Sequence, residues 1–414
     1  MTDAPGTPRR ILLGAFGDPG HAFPMIALGR ALLARGHEVT LQTWTRWREH
    51  VEAEGIAFAP APEYQVFPQG PGHLDFYEAV VRATRDTIPL VEELEPDLAV
   101  ADILTLAPAL AAESQGVPWA TLIPHVYPDG ESDFPIYSVG ARMPRTAFGR
   151  GLWRRAHPLV ERGLELGREE LNGTRARLGL EPLEHVHGGI SRRLAIVGTF
   201  PQLEYPRSWP AHVHVVGPLM WEPPAAGLAP SSPELTEGDL PLVLIAPSTA
   251  QDREQRLLRA ALEGLADAPV RVLGTWNRRL PSRPLPVPAN ATVVDWLVYS
   301  REMARSDVVV CHAGHGTMAR ALAGGAAVVA CPDVGDMNEN AARLDWAGAG
   351  VRLPRRFVSP RGVRLAVERV LEEPSIRARA RELERWIGEQ DPAGAAARLV
   401  ENMHRRSEPA RHRD

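Results

Sequence analysis

Residues 11–43 read ILLGAFGDPGHAFPMIALGRALLARGHEVTLQT, and the hydrophobic pattern of this stretch changes twice. The run Ile11–Phe16 is almost continuously apolar, as expected for a strand that is buried on both faces. Residues 24–35 instead carry apolar side chains at helical spacing, and Gly36 follows as a stop. Residues 39–43 return to a strand pattern. The order strand, helix, strand predicts a parallel sheet.

The same alternation continues through both halves of the chain. Residues 218–241 interrupt it, because they are rich in Pro, Gly, Ala and Ser and show little periodicity, which indicates a linker. Other apolar runs of strand length occupy residues 98–101, 119–123, 194–197, 242–245, 270–273, 308–311 and 328–331. We therefore predict an α/β protein with two doubly wound, Rossmann-like domains. The predicted limits are 1–218 for the first domain, 219–240 for the linker, 241–390 for the second domain, 391–406 for a final helix and 407–414 for a disordered tail.

Composition excludes several classes of protein. The 414 residues are 44% hydrophobic and carry a net charge of -5, so the chain can bury large cores but lacks the basic surface that nucleic-acid binding needs. The two cysteines, Cys311 and Cys331, have no metal-ligand spacing, which fits a reducing compartment. We see no signal peptide and no apolar stretch long enough for a bilayer. These features predict a cytoplasmic location without stable membrane insertion.

Polar residues with catalytic potential come directly after the predicted strands. Ligands of open parallel sheets bind outside the carboxyl ends of the strands. In the first half, the residues in this position are His21, Asp102 and His125. In the second half, they are Ser248, Thr249, His312, Asp333 and Asp336. If the two halves face each other, both sets of side chains line one cleft.

Residues 312–317, HAGHGT, connect a buried valine strand to a predicted helix. Glycines let a backbone approach an anion closely, and the start of a helix offers unpaired N–H groups with a positive partial charge. His312 and Thr317 can add side-chain donors. Alternatively, the segment is an ordinary turn in which Gly314 and Gly316 only permit a positive φ. Two histidines in such a turn favour anion binding.

His21 and Asp102 form a candidate pair of general base and orienting carboxylate. A histidine just before a helix favours the neutral imidazole, and a carboxylate at the same sheet edge can hold its other ring nitrogen. The alternatives are a histidine that bonds nearby backbone and an aspartate that caps the following helix. The GxxGxxG spacing of residues 14–20 resembles a dinucleotide fingerprint only weakly, because that fingerprint reads GxGxxG.

Two other features allow more than one interpretation. Asp333 and Asp336 could hold a divalent ion, but no third carboxylate accompanies them, so we expect no metal site. Trp296 follows a predicted strand and is either a core residue or a platform on which a base stacks.

Ordered matches along the whole chain resemble the inverting nucleotide-sugar glycosyltransferases of glycosyltransferase family 1, especially the bacterial branch that modifies macrolides and other natural products. The matches in the first half include Gly20-His21, Arg35-Gly36-His37-Glu38-Val39, Pro96-Asp97, Gly116-Val117-Pro118 and Val216-Gly217-Pro218. Those in the second half include Asp295-Trp296, His312-Ala313-Gly314, Gly316-Thr317, Gly335-Asp336 and Asn340-Ala341.

The resemblance implies the GT-B fold, in which two facing Rossmann-like domains enclose a cleft and the final helix returns to the first domain. It implies that His21 is the base and Asp102 its partner. It also implies a set of donor-binding residues that comprises Trp296, His312, Gly314, His315, Gly316, Thr317, Asp336 and Asn340. Ser248 and Thr249, which follow a predicted strand of the second half, complete the predicted donor-binding set. Within this set, Trp296 would stack the nucleobase and Asp336 would bind sugar hydroxyls.

Three positions depart from the family pattern on the donor side. Met337 stands where a glutamine often contacts the sugar, Arg320 stands where a glutamate often binds ribose, and Tyr299 stands where a glutamine often helps to hold the base. The identity of the sugar and of the nucleotide, UDP or TDP, is therefore open at this point.

Aromatic residues crowd the first half, which predicts an apolar or aromatic small-molecule acceptor. The candidate acceptor-binding residues are Phe23, Tyr64, Phe67, Phe76, His125, Tyr127 and Phe134. The sequence thus predicts a metal-independent transferase, monomeric or homodimeric, that moves a sugar from a nucleotide sugar to an acceptor hydroxyl. The alternatives are a non-catalytic nucleotide-sugar binder, an NAD-type oxidoreductase and a sugar-nucleotide epimerase.

Overall fold

The first half of the chain forms one parallel sheet of seven strands. The structure is a computed structural model that describes residues 7–64, 75–185, 189–224, 238–248 and 254–403. In chain order, the elements of the first half are β1 (Arg10–Gly14), α1 (Pro19–Ala34), β2 (Glu38–Thr43), α2 (Arg48–Ala53), β3 (Ala57–Pro60), α3 (Phe76–Leu94), β4 (Leu98–Asp102), α4 (Leu106–Ser114), β5 (Trp119–Ile123), α5 (Ala147–Arg177), β6 (Ala195–Val197) and β7 (Val213–Val215). The strand order is β3-β2-β1-β4-β5-β6-β7.

The second half repeats this architecture with six parallel strands. Its elements are β8 (Leu242–Ala246), α6 (Arg256–Gly264), β9 (Arg271–Thr275), β10 (Ala291–Val294), α7 (Tyr299–Met303), β11 (Val308–Cys311), α8 (His315–Ala323), β12 (Ala327–Ala330), α9 (Asp336–Ala347), β13 (Gly350–Arg352), α10 (Pro360–Glu372), α11 (Pro374–Gly388) and α12 (Pro392–Asn402). The strand order is β10-β9-β8-β11-β12-β13. The predicted fold class is confirmed. Within the described ranges, no helix combines the length and the apolar character that a membrane span requires.

Two helices begin earlier than the sequence predicted, and both changes move site residues into a first helical turn. α1 begins at Pro19 rather than at residue 24, so that His21 lies inside the helix. Pro19 fits the first turn because its missing N–H has no intrahelical acceptor there. α8 begins at His315, so that Gly316 and Thr317 are helical rather than part of a loop.

Three short strands were not predicted from the sequence, and all three lie at sheet edges. Residues 57–60 form the edge strand β3. β7 and β13 close the opposite edges of the two sheets with three residues each. Runs this short carry too little apolar periodicity to be recognised without their neighbours.

The two halves are joined by buried apolar contacts. The core of the second half is built on β8, β9, β11 and β12, and it also contains Val126, Phe200 and Leu203 from the first half. Phe200 and Leu203 belong to residues 199–205, which follow β6 and which we call the docking segment. The docking segment therefore joins the two halves of the chain.

The final helix packs on the first half of the chain. Ala396, Ala397 and Val400 of α12 lie in the core that surrounds β1 and α1. The chain passes from one half to the other near Gly217 and returns near Pro392. These two crossings are in contact, since a Cβ placed on Gly217 would lie only 2.9 Å from Pro392 Cγ. Gly217 also has a φ of 103°, which favours glycine. The limits predicted for the domains stay predictions, and the tail 407–414 and residues 225–237 of the linker lie outside the described residues.

A charged cluster fastens the end of α12 to the first half. Glu401 accepts two hydrogen bonds of 2.6 Å from the Arg35 guanidinium and lies 2.8 Å from His37 Nε2. Burial alone would raise the pKa of Glu401, but Arg35 and His37 outweigh this effect and hold it below its ordinary value. The cluster therefore stabilises the fold at pH values above the ordinary pKa of a glutamate, and this contribution is lost as the pH falls through the lowered pKa.

We expect the Glu401→Gln variant to unfold more easily at pH 7, by about 1–2 kcal/mol, because charge-assisted hydrogen bonds are lost. In thermal unfolding this corresponds to a melting temperature lower by roughly 1–3 °C for a chain of 414 residues. The difference should shrink as the pH falls below the ordinary glutamate pKa of about 4.3 and should be lost once the pH has passed the lowered pKa of the folded state. Glu368→Gln, which breaks an exposed ion pair within α10 with Arg364, is the matched control and should change little. Equal effects of the two variants would contradict this role of Glu401.

Candidate active site between the two halves

His21 and Asp102 are in direct contact at the carboxyl edge of the first sheet. Asp102 is the last residue of β4, and its Oδ1 lies 2.8 Å from His21 Nδ1. Its Oδ2 accepts the backbone N–H of Phe16 at 3.1 Å, so both carboxylate oxygens are used and the side chain is 1% exposed. A carboxylate only accepts hydrogen bonds, so Nδ1 of the neutral imidazole carries the proton and Nε2 keeps a lone pair. The pair has the geometry of a base and its orienting carboxylate.

The electrostatics of His21 involve both halves of the chain. Burial lowers the pKa of His21, but the charge and hydrogen bond of Asp102 raise it, and so do the charges of Asp336 and Asp18. The net result is a pKa above the ordinary 6.5. Asp336 is the first residue of α9 in the second half. Its influence on His21 places the start of α9 across the cleft from the start of α1.

Two more histidines near this point stay neutral. The ring centroid of His125 lies 6.1 Å from that of His21, and its Nδ1 bonds the carbonyl of Val126 at 2.8 Å. Burial and the His21 charge lower the pKa of His125. Burial, followed by the charges of His125 and His21, lowers the pKa of His315 to about 3. The cleft therefore contains one histidine with a raised pKa beside two with lowered values.

The backbone of segment 312–317 has a conformation that would let an anion approach it closely. Ala313 adopts a left-handed φ of 65°, which is uncommon for a residue with a side chain. A Cβ on Gly314 would collide with Nε2 of His312, so a larger residue there would displace the His312 ring. The Gly314 carbonyl is the first intrahelical acceptor of α8, which leaves the N–H groups of His315 and Gly316 without a helical partner. This is the geometry of an anion site at a helix start.

A cavity of ≈ 360 Å³ lies over the carboxyl ends of β8, β11 and β12. Ser248 and His312, two of the residues predicted to bind the donor, line this cavity, and Met337 forms part of its apolar wall. Arg256 and Arg355 also line the cavity, and Arg355 pairs with Asp333 at 2.9 Å. Neither arginine was predicted, because neither follows a strand directly.

Two predicted donor-binding side chains are directed elsewhere. His315 is buried, and its Nε2 bonds Thr199 Oγ1 of the docking segment at 2.8 Å. Asn340 is fully buried and donates to the Ala313 carbonyl at 3.1 Å and to Asp336 Oδ2 at 3.3 Å. Asn340 therefore supports the segment from behind instead of facing a ligand, and only the backbone of His315 is placed for one. Thr249 lies outside the described residues.

The structure does not gather the predicted acceptor aromatics in one pocket. Tyr127 and Phe134 are core residues with 3% and 6% exposure, and Phe23 packs between Trp47 and Trp221. Tyr64 bonds Asp86, whereas Phe76 is exposed at the start of α3 beside Tyr77. Apolar burial explains why these rings are not gathered in one pocket, because most aromatic rings in proteins belong to a core. Of the predicted acceptor set, His125 lies beside His21, and Phe67 lies outside the described residues.

Trp296 and two positions that depart from the family pattern, Tyr299 and Arg320, have side chains that contact other groups of the protein. The guanidinium of Arg278 stacks 4.7 Å from the ring centroid of Trp296, and Arg278 and Asn277 both have a positive φ. Tyr299 donates its hydroxyl to Asn277 Oδ1 at 3.0 Å. Arg320 is turned toward the linker, where it bonds the Trp221 carbonyl.

Two glycines of the GxxGxxG pattern at residues 14–20 are explained by close packing within the protein. A Cβ on Gly14 would collide with Pro108, and a Cβ on Gly17 would collide with Trp44. These glycines therefore make room for side chains of the protein. Within the part of the chain that the structure describes, no cluster of three or more His, Cys, Asp or Glu side chains could hold a metal ion.

Comparison with sequence families gives one match in each half. Residues 11–121 match a family described as the glycosyltransferase family 28 N-terminal domain. Residues 261–402 match the erythromycin biosynthesis protein CIII-like C-terminal domain. The resemblance to bacterial natural-product glycosyltransferases is thus confirmed, although the matched N-terminal family is numbered 28.

Similar proteins cover nearly the whole chain. The O-mycaminosyltylonolide 6-deoxyallosyltransferase of Streptomyces fradiae is 30% identical over 95% of this chain and 95% of its own. The 4'-demethylrebeccamycin synthase of Lentzea aerocolonigenes is 28% identical over 95% and 99%. Among solved structures, the kitacinnamycin glycotransferase has a TM-score of 0.76 at 19% identity and covers 96% of this chain and 100% of its own. The glycosyltransferase VinC in complex with DTDP has a TM-score of 0.66 at 17% identity, with coverage of 96% and 100%. The two structures share the GT-B fold with this chain.

The raised pKa of His21 can be tested directly. We expect the imidazole of His21 to titrate above pH 6.5 in NMR spectra, and the Asp102→Asn variant to lower this pKa by about 1–2 units, because an adjacent carboxylate favours the charged ring. His212, whose pKa is lowered by burial and by Arg192, is an internal control and should titrate alike in both proteins. A wild-type pKa below 6.5 would contradict the interaction described here.

Proposed function

This chain belongs to the family of macrolide and antibiotic glycosyltransferases, and on that premise we propose that it is an inverting enzyme that transfers a sugar from a TDP-sugar to a hydroxyl of an apolar or aromatic small molecule. The observation that carries the proposal is the contact between His21 and Asp102, which lies across the cleft from the anion site at the start of α8. TDP is preferred to UDP because the similar enzyme VinC is in complex with DTDP.

His21 acts as the general base. Nε2 takes the proton of the acceptor hydroxyl while the acceptor oxygen forms a bond to the anomeric carbon of the donor sugar. The bond between that carbon and the leaving phosphate oxygen breaks on the opposite face, so the anomeric configuration inverts. The imidazolium that results is stabilised by Asp102, whose carboxylate is held in place by the Phe16 amide.

The leaving nucleoside diphosphate is stabilised by the start of α8. The amides at His315 and Gly316 point toward an anion there, His312 adds a side-chain donor, and the helix dipole favours negative charge. Arg256 and Arg355 line the same cavity together with the carboxylates of Glu254 and Asp333, so both guanidinium groups lie within reach of a phosphate bound there. These groups make a divalent ion unnecessary for departure. Asp336 binds sugar hydroxyls at the start of α9, where Met337 offers an apolar contact in place of an amide.

The rival functions are less well supported. An NAD-type oxidoreductase would need the glycines near residue 14 for a cofactor, whereas these glycines accommodate Pro108 and Trp44. A non-catalytic nucleotide-sugar binder would not require a base held by a buried carboxylate. An epimerase would also use a base, but the similar proteins that cover nearly the whole chain are named as a transferase and a synthase. We further propose a cytoplasmic location and a monomeric or homodimeric state.

Donor binding is tested with a panel of UDP- and TDP-sugars scored by thermal stabilisation in the presence of EDTA. We expect TDP-sugars to stabilise the wild-type protein most. His312→Ala should weaken the binding of TDP by about 10-fold or more, since a hydrogen bond to a charged phosphate is lost. His157→Ala on α5, where His157 pairs with Glu161, is the matched control and should bind as the wild type does. Stabilisation that requires Mg²⁺, or none at all, would contradict the proposed donor site.

The base is tested with the His21→Ala variant. We expect turnover to fall by roughly 10²–10⁴-fold, because proton transfer in the transition state is lost. The Kd for TDP should stay within about 3-fold of wild type, which separates catalysis from donor binding. Undiminished turnover in the His21→Ala variant would sink the assignment of the base.

A further inference from the structure

A buried charged cluster spans the interface between the two halves. Arg343 of α9 is 2% exposed, and its Nη1 bonds Glu204 Oε2 of the docking segment at 2.5 Å. Its Nε bonds Glu339 Oε1 on the same helix at 2.8 Å, and its guanidinium lies 4.2 Å from the ring centroid of Tyr205. Glu204 and Glu339 are 6% and 1% exposed. One cation thus joins two carboxylates that come from different halves of the chain.

Stability alone does not explain this cluster. Burying charges costs several kcal/mol per ion, and well-packed apolar side chains of similar volume often give equal or greater stability. The cluster also contains one more carboxylate than cation, and burial raises the pKa of Glu339 despite the opposing effect of Arg343. A group that adds little net stability but has a defined geometry is a candidate for specifying an arrangement.

On the first-half side, the cluster controls the segment that carries His125. Glu204 Oε1 accepts the backbone N–H of Tyr127 at 2.7 Å, and Arg343 Nη2 reaches the Tyr127 carbonyl at 3.5 Å. Tyr127 is two residues after His125, whose ring lies beside that of His21. Movement of Glu204 would therefore shift the segment next to the proposed base.

On the second-half side, the cluster belongs to the helix that supports the donor loop. Glu339 precedes Asn340, which holds both the Ala313 carbonyl and the Asp336 carboxylate. Arg343 lies one helical turn after Glu339, and an α-helix is stiff over this length. A displacement of Arg343 would therefore move Asp336 and the loop before α8 relative to His21.

We propose that Arg343 is a positioning residue, which sets the alignment of the donor's anomeric carbon with the base by bonding Glu204 and Glu339 at the same time. The proposal rests on the proposed function. Arg343 touches neither substrate and acts through the segment 125–127 and through α9. Transfer to an acceptor requires alignment across the interface, whereas binding of TDP requires only the second half of the chain.

The decisive variant neutralises the whole cluster at once by combining Arg343→Met, Glu204→Gln and Glu339→Gln. No charge is left buried without a partner, and the amide oxygen introduced by Glu204→Gln can still accept the Tyr127 N–H. The two buried amide groups have N–H donors to satisfy, so we expect a melting temperature within about 5 °C of that of wild type. The Kd for TDP should remain within about 3-fold. Turnover for sugar transfer should fall by roughly 30–100-fold, because a misalignment of about 1 Å costs this much. Hydrolysis of the donor without acceptor should persist.

Two comparisons separate positioning from a structural role. Arg343→Lys keeps the positive charge but loses the planar guanidinium. We therefore expect a turnover for sugar transfer between that of the wild type and that of the triple variant. Arg142→Ala removes another ion pair between the halves, the contact with Asp345, in which Arg142 is 65% exposed. It is the matched control and should keep turnover within about 2-fold. Transfer and hydrolysis that decline together with the melting temperature would overturn the proposal.

A spectroscopic measurement keeps this test independent of the proposed function. Spin labels at Glu93→Cys on α3 and Arg381→Cys on α11, both exposed, report the distance between the halves. We expect one narrow distance distribution in the otherwise wild-type protein and a broader one in the triple variant, whether or not an acceptor has been found. An unchanged distribution, or a broader one with wild-type transfer, would overturn the role of Arg343. Absence of transfer in the wild-type protein would instead count against the proposed function.

Discussion

The docking segment, residues 199–205, makes the contact on which the site depends. Parallel sheets collect their functional side chains at one edge, but neither sheet alone contains both His21 and the anion site at α8. Phe200 and Leu203 enter the core of the second half, Thr199 bonds His315, and Glu204 bonds Arg343. Seven consecutive residues thus combine apolar burial, a neutral hydrogen bond and an ion pair. The relative placement of the two edges follows from this combination.

Three histidines close to one another differ in pKa because their partners differ. His21 has a carboxylate beside it, His125 bonds a backbone carbonyl, and His315 is buried against a hydroxyl. Of these three rings, His21 takes up a proton most readily, since its pKa is raised and the other two are lowered. The mutual repulsion of protonated imidazoles strengthens this difference. The proposed proton acceptor is thereby distinguished from the other two rings by its neighbours in the fold.

The sequence predicted the parts of the site that depend on local pattern. His21 and Asp102 were found because both follow apolar runs, and the rule for sheet edges then places them together. The direction of the His315 and Asn340 side chains was missed, since it depends on Thr199 and on the strained Ala313, which no periodicity reveals. Arg343 was missed because Glu204 lies 139 residues away, and a lone arginine on a helix normally faces solvent. The predicted aromatic acceptor residues do not form one pocket, because protein cores and ligand sites use the same residue types.

The return of α12 to the first half has a consequence for biosynthesis. During translation, the first half leaves the ribosome well before residues 392–402 exist, so the face of α1 that later contacts Ala396, Ala397 and Val400 is uncovered for most of the synthesis of the chain. The first half can reach its final packing only after residues 392–402 have emerged. Completion of the first half is therefore coupled to synthesis of α12, and a polypeptide that stops short of α12 presents an apolar surface by which quality control can recognise it.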